Sequence, residues 1–228
     1  QSKGISVAHF LSLEAGEMVT TMIPIRDFDT KEYLFMITKK GIIKKTPLSA
    51  FIHFKNRPII SINLDDGDQL NWVEKTTGTR DVMLVTTAGM VIRFKESQVR
   101  PMGRASRGVK GIKIKPEDNL ISAAILEPEE EKSMLLVITA KGYGKNMKVN
   151  EFRCQARGGI GVKCLKFRKT VKDDRITDGI VVQIEDELML VSKGGTMCRQ
   201  KVSAISTQRR ESQGVIILKL DKKDEVIS

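Results

Sequence analysis

One unit of roughly fifty residues is written several times along this chain, and a repeat of that size admits few folds. Four segments join a hydrophobic strand to a basic one through a Thr or Ser with a glycine three residues later. They are LFMITKKGIIKKTPLSAF from Leu34, MLVTTAGMVIRFKESQV from Met83, LLVITAKGYGKNMKVNEF from Leu135 and LMLVSKGGTMCRQKVSAI from Leu188. Their glycines, Gly41, Gly89, Gly142 and Gly195, stand 48, 53 and 53 residues apart.

A second element follows each time, a basic or polar residue leading into a β-rich run. Its copies are KGISVAHFLSL from Lys3, RPIISINLDDGD from Arg57, RGVKGIKIKPED from Arg107, RGGIGVKCLKF from Arg157 and QGVIILKLDKKD from Gln213. In this reading Arg157–Gly161 lines up with Arg107–Gly111. Each copy leads through an acidic turn into a short strand: EMVTTMI, DQLNWVE, DNLISAAIL, DRITDGIVVQI and DEVIS.

Val, Ile, Leu, Thr and Phe fill short runs bounded by Gly, Asp, Asn and Pro, and no stripe of helical period and length interrupts them. The expectation is an all-β fold of propeller-like blades around an axis, because one unit has too little core and must stack on its neighbours. The WD dipeptide and the kelch pattern are both missing. The chain reads as a single domain over residues 1–228, a fragment that begins and ends within a repeat, with EPEEEK (Glu127–Lys132) as a loop between blades. The aromatic positions Phe35, Phe51, Phe94, Phe152 and Trp72 read as core.

Composition narrows the function. The chain carries 39 Lys+Arg against 28 Asp+Glu, a formal +11, which favours a polyanionic partner. No apolar run reaches the length of a membrane span and no signal-peptide pattern opens the sequence, so no membrane role is expected. Cys154, Cys164 and Cys198 include no Cys-x-x-Cys pair, and only His9 and His53 could join them, so neither a metal nor a cofactor is expected and the thiols read as buried and reduced. No nucleophile–base set, clustered catalytic carboxylates or phosphate-binding lysine loop is present. Asp65-Asp66-Gly67-Asp68 reads as a turn rather than a calcium loop.

Placement of charge says more than its sum. Lys39, Lys40, Lys44, Lys45, Lys55 and Arg57 form one run without an acid, and the stretches Arg93–Lys115 and Lys141–Lys172 each contain a single acid. Acids gather instead at Asp65–Asp68, Glu127–Glu131, Asp173–Asp174, Glu185–Glu187 and Asp221–Glu225. Repeated in each blade, this pattern should collect cations on one rim. The candidate contacts are Lys44, Lys45, Arg93, Lys95, Arg100 and Arg104, then Arg107, Lys110, Lys113, Lys145, Lys148 and Arg153. Arg157, Lys163, Arg199, Lys201, Arg209 and Arg210 complete the set. Strand alternation places Arg93 with Lys95, and Arg199 with Lys201, on common faces. A curved cationic rim suits double-stranded DNA, read through its phosphates and therefore largely independent of sequence. Single-stranded partners would call for stacking aromatics, which make up only 5% of the chain.

RFKESQVRPMGRASRGVKGIKIK (Arg93–Lys115), TAKGYGKNMKVNEFRCQARGGIGVK (Thr139–Lys163) and SQGVIILKL (Ser212–Leu220) resemble the C-terminal domain of the DNA gyrase A subunit, and the likeness extends from Lys3 to Ser228. The resemblance implies a β-pinwheel, a propeller whose blades exchange strands, with a basic rim that wraps duplex DNA. It implies a non-catalytic part of an ATP-dependent type IIA topoisomerase that introduces negative supercoils. The partners would be the rest of gyrase A and gyrase B in an A2B2 holoenzyme, in the bacterial cytoplasm at the nucleoid. Neither Tyr33 nor Tyr143 lies in that family's cleavage motif. The family's gyrase box, of the type Q-R-R-G-G-K-G, would lie upstream of Gln1, and Gln155–Gly161 (Q-A-R-G-G-I-G) reads as a degenerate copy of it. Two alternatives are the equivalent domain of topoisomerase IV, which decatenates, and a propeller that serves as a protein-interaction scaffold.

Overall fold

Each repeated Thr or Ser with its glycine three residues later is the turn of a hairpin. The amides of Gly41, Gly89, Gly142 and Gly195 donate to the carbonyls of Thr38, Thr86, Thr139 and Ser192 at 2.9–3.0 Å. The hydroxyls of those four residues accept the next amides, of Ile42, Met90, Tyr143 and Thr196, at 3.1–3.3 Å. The glycines have φ between +76° and +87°, the left-handed region in which a Cβ would be strained.

The acidic turns close the same corner from the other side. Asp68, Asp118, Asp174 and Asp224 each turn one carboxylate oxygen to the amide just before the hairpin glycine. Those amides belong to Lys40, Ala88, Lys141 and Gly194, at 2.7–3.1 Å. The same oxygen accepts the amide of the following residue. The acids set apart from the basic runs in sequence are therefore partly structural clasps.

The computed structural model describes residues 16–28, 30–53, 58–127, 130, 132–221 and 223–227, with Gly4 and Leu13. Its strands are β1 (Tyr33–Thr38), β2 (Ile42–Pro47), β3 (Leu70–Thr76), β4 (Asp81–Thr86), β5 (Met90–Lys95), β6 (Val109–Lys110) and β7 (Leu120–Leu126). They continue with β8 (Met134–Thr139), β9 (Tyr143–Lys148), β10 (Val162–Lys163), β11 (Ile176–Val182), β12 (Glu187–Val191), β13 (Met197–Lys201) and β14 (Val215–Ile216). No α-helix occurs among the described residues. Three four-stranded sheets run in the orders β3-β1-β2-β6, β7-β4-β5-β10 and β11-β8-β9-β14, and β12 pairs with β13 alone.

Those orders show an exchange. β6 follows β5 in sequence but pairs with β2 of the preceding sheet, and β10 and β14 are passed back in the same way to β5 and β9. At the other side, β7 packs against both β3 and β11. The sheets thus meet through β3, β7 and β11 and expose the donated strands at their outer edges.

Cores lie between sheets, as strand alternation requires. Val82 and Leu84 face Phe35, Ile37 and Ile43 of the first sheet, while Met83 and Val85 face Leu135 and Val137 of the third. Leu136 and Ile138 turn toward Leu190 and Val202 of the fourth hairpin. With both faces covered, each buried Val, Leu or Ile contributes about 1.5–3 kcal/mol. Phe35, Phe94 and Phe152 are fully buried, and Trp72 packs at the margin of one cluster.

Several sequence expectations change. The β-rich runs after the basic residues supply only the two-residue strands β6, β10 and β14, because each touches the sheet it joins over a short length. EMVTTMI has no strand partner among the described residues, and Met18 and Met22 are exposed. DEVIS contributes a single bridge, Val226 to Ser192. Of the three thiols only Cys164 is buried, since Cys154 is exposed and Cys198 half-buried. Asp65–Asp68 is a turn, closed by the Asp68 amide on the Asp65 carbonyl at 2.9 Å. Most of the first copy from Lys3, with His9, the basic positions Lys55 and Arg57, and most of Glu127–Glu131 lie outside the described residues.

Candidate nucleic-acid interface

The outer edge of each sheet is a loop that leaves and returns. Residues 101–111 run along β2: Pro101 bridges Lys45, the Met102 amide donates to Lys45, and the Gly111 amide donates to Gly41. Residues 154–164 repeat this along β5, with Gln155 on Arg93 and Cys164 on Gly89. Residues 207–217 repeat it along β9, with Gln208 on Asn146 and Ile217 on Gly142.

These contacts fix a register the sequence alignment misplaced. Gly108, Gly161 and Gly214 occupy one position, all with positive φ, and an added Cβ would meet the Ile43, Val91 or Gly144 carbonyl at 2.5–2.6 Å. Arg157 therefore corresponds to Arg104 and Arg210, three residues away from its expected partner Arg107. Counting from Arg107 matched one glycine of a Gly-rich loop to another. The strand pairing depends on the glycine that touches the neighbouring backbone. In the true register Gln155–Gly161 occupies the same loop as Met102–Gly108 and Gln208–Gly214, and the last reads Q-R-R-E-S-Q-G.

In that register exposed cations recur at matching places. Lys95, Lys148 and Lys201 end β5, β9 and β13, Arg100 matches Arg153, and Lys110 and Lys163 sit on β6 and β10; all are exposed. Lys113 matches Lys166 and Lys219, all exposed as well. Lys166 and Lys219 were missed as contacts, and a constant step of 53 residues from Lys113 would have found them. Arg209 and Arg199 are also exposed, whereas Arg104, Arg157 and Arg210 are half-buried.

Four candidates are not surface groups. Lys44 and Lys145 are 0% exposed, and Lys45 and Arg93 are 4% exposed. They lie on β2, β5 and β9, inner strands sandwiched between neighbouring sheets and covered on the outside by the edge loops. Arg93 donates to Asp81, with 2.8 Å from Nε and 2.6 Å from Nη2. Lys45 stands 3.7 Å from the buried Glu96 carboxylate and 5.1 Å from the centre of the Tyr33 ring. Lys44 donates to the carbonyls of Ser61, at 2.6 Å, and Arg104. Lys145 donates to the Arg209, Arg210 and Ser212 carbonyls and to the Ser212 hydroxyl. Burial pushes both Lys44 and Lys145 down to about 8.

Some surface cations are already engaged. Lys95 reaches Asp81 at 2.8 Å, Arg107 pairs with Asp65, and Arg199 pairs with Glu187. Arg157 donates to the Gln98 and Lys110 carbonyls at 3.1 Å, and Arg210 donates to the Lys163 carbonyl in the same relation. Arg100, Lys110, Lys113, Lys148, Arg153, Lys163, Lys201 and Arg209 form no ion pair among the described residues. Glu74, Glu130 and Asp178 border the cavity between β3, β7 and β11, and burial raises the pKa values of Glu74 and Asp178.

Sheets that pass their edge strands back to a neighbour while β7 packs against both β3 and β11 make this domain a β-pinwheel. Its sequence matches the family described as DNA gyrase C-terminal domain, beta-propeller, over residues 32–77, 80–127, 133–183 and 186–228, and the chain belongs to that family. It is 36% identical to the DNA gyrase A protein of Synechocystis sp., an alignment covering 99% of this chain and 30% of that protein. A solved C-terminal domain of DNA topoisomerase IV superposes with a TM-score of 0.91 at 30% identity, covering 99% of this chain and 69% of that one. A solved DNA gyrase A C-terminal domain gives 0.82 at 26% identity, covering 100% and 74%. The chain thus spans about a third of the gyrase protein it matches.

Proposed function

We propose that this chain, read as one domain over residues 1–228, binds duplex DNA along the outer edges of its blades and wraps it. The observation that carries this is the recurrence, at two places on successive edges, of exposed lysines that form no ion pair among the described residues: Lys110 and Lys163, then Lys113, Lys166 and Lys219. A lysine at a fixed point on each blade meets the phosphate backbone without reading bases, so binding is largely independent of sequence. Bending a short site costs on the order of 1–6 kcal/mol, which several phosphate contacts offset. Family membership supports the larger reading: a part of gyrase A that works with gyrase B in an A2B2, ATP-dependent topoisomerase of the bacterial cytoplasm. In it the domain presents a wrapped segment for strand passage toward negative supercoils.

The test is topological. Relaxed circles are closed by ligase around the full-length protein, and the linking number is read after protein removal. A shift proportional to bound protein is expected, and its absence at saturating protein defeats wrapping. A second reading, a topoisomerase IV-type domain, draws on the 0.91 superposition. Holoenzyme that decatenates linked circles but leaves relaxed circles unsupercoiled would favour it.

A further inference from the structure

Lys145 is wholly buried, yet among the described residues no carboxylate stands at hydrogen-bond distance from its ammonium. It is caged by the edge loop of its own blade: the carbonyls of Arg209 at 2.7 Å, Arg210 at 2.8 Å and Ser212 at 3.1 Å, and the Ser212 hydroxyl at 2.9 Å. Lys44 does the same in the first blade through the Arg104 carbonyl, the position equivalent to Arg210, and through Ser61. Taking an ammonium out of water costs several kcal/mol, so such a group needs a reason. The fold itself is not the reason. The second blade builds the same sheet with Ile92 in that place, fully buried.

The loops over Ile92 and Lys145 share an outer set of contacts and differ in the inner one. The loop over Ile92 is pinned from outside, where Gln98 Nε2 donates to the Gln155 carbonyl at 3.0 Å and the Arg157 amide donates to Gln98 Oε1 at 2.8 Å. Its arginine is spent on the Gln98 and Lys110 carbonyls. The loop over Lys145 keeps the equivalent outer contacts, the Arg210 amide on Glu151 Oε2 and the Arg210 guanidinium on the Lys163 carbonyl, both at 3.3 Å, and adds the pin from within, while Arg209 is exposed and without an ion pair among the described residues.

We propose that Lys145 is a positioning residue: its buried ammonium gathers the carbonyls of its edge loop and holds Arg209 ready for a phosphate backbone. The inference rests on duplex binding by the outer edges. It adds that part of the affinity is set from inside the blade by a residue that never touches DNA.

The full-length protein is compared with K145M, R209A/R210A and the triple variant, by duplex-binding anisotropy over a range of salt and by hydrogen exchange of residues 208–214. K145M should weaken binding about three- to tenfold, the cost of releasing one or two rotamer-rich side chains. It should also speed exchange in the loop and add less than about twofold to R209A/R210A, because paired variants that act through one contact are not additive. Additive losses, or unchanged affinity and exchange in K145M, overturn the proposal. Should K145M fail to fold, S212A decides, since it keeps the charge and removes one acceptor. Faster loop exchange with weaker binding supports the proposal, and no change in either overturns it. Absence of salt-dependent duplex binding by the unmodified protein defeats the duplex reading itself and this inference with it. Normal binding by the unmodified protein with an indifferent K145M defeats only the role of the lysine.

Discussion

Arg93 and Asp81 form a desolvated ion pair across β4 and β5, each side chain about 5% exposed, with Nε and Nη2 at 2.8 and 2.6 Å from one carboxylate oxygen. Lys95 closes on the other oxygen at 2.8 Å, and the Cys154 thiol donates at 3.4 Å. A group suited by type and sequence position to hold a phosphate instead holds two strands together.

Removing one partner of a buried pair strands the other. Asp81→Ala should cost about 3–5 kcal/mol, read as a lower urea midpoint. Burial pushes the Asp81 carboxyl up, but hydrogen bonds from Lys95, Arg93 and Cys154 outweigh it and hold the pKa low. A carboxylate with a depressed folded pKa stabilises above its unfolded pKa, and the gain is lost as pH falls through the folded one. The gap between wild type and Asp81→Ala should therefore narrow in acid. A gap that widens refutes the pairing.

The clasp at Asp118 accepts the Thr87 hydroxyl at 2.6 Å and the Ala88 and Asn119 amides at 2.9 Å. Asp118→Ala should destabilise by about 1–3 kcal/mol, and Asp118→Asn, which keeps a carbonyl acceptor, by clearly less. Equal losses would mean that charge rather than these hydrogen bonds closes the corner.

Gly161 has φ +73°, and its added Cβ would stand 2.5 Å from the Val91 carbonyl. Gly161→Ala should cost at least about 1–3 kcal/mol through strain and loosened docking of the donated edge. Gly103, with open space around its Cβ position, should tolerate alanine within about 0.5 kcal/mol. Calorimetry on both variants separates backbone geometry from mere loss of a loop glycine.

Replacing Lys110, Lys113, Lys163, Lys166 and Lys219 by Ala should flatten the plot of log K against log salt by about 4–5, at roughly 0.9 per phosphate contact. Titrations on two unrelated duplexes should show equal losses. A loss confined to one sequence would contradict backbone recognition.

Lys145 has its pKa pushed down by burial to about 8. A lysine unfolds into water at about 10.4, so the unfolded chain binds more protons between the two values and stability from this group rises with pH there. Below about pH 8 both states are protonated and the contribution is flat. Urea melts at pH 7.5 and 9.5 should show the deficit of Lys145→Met growing at the higher pH. A shrinking deficit would place the proton elsewhere.

Local chemistry made much of this protein legible. Thr38 with Gly41 and its three counterparts had to be hairpin turns, because only glycine sits easily at that φ and the hydroxyl is in reach of the next amide. Alternation fixed which residues of MLVTT face each neighbour, and Phe35, Phe94 and Phe152 had nowhere to go but inside. The step from Gly89 to Gly142 to Gly195 already implied stacked equivalent blades. Tertiary structure alone decided that Val109 and Val162 join the blade before their own, since strand pairing at long range leaves no trace in a local pattern. It also decided which cations reach water. Lys44 and Lys110 look alike in a basic run, yet one lies on a strand covered from every side and the other on the donated edge that helps to cover it. Charge is a property of the residue, whereas exposure depends on what the rest of the chain places over it.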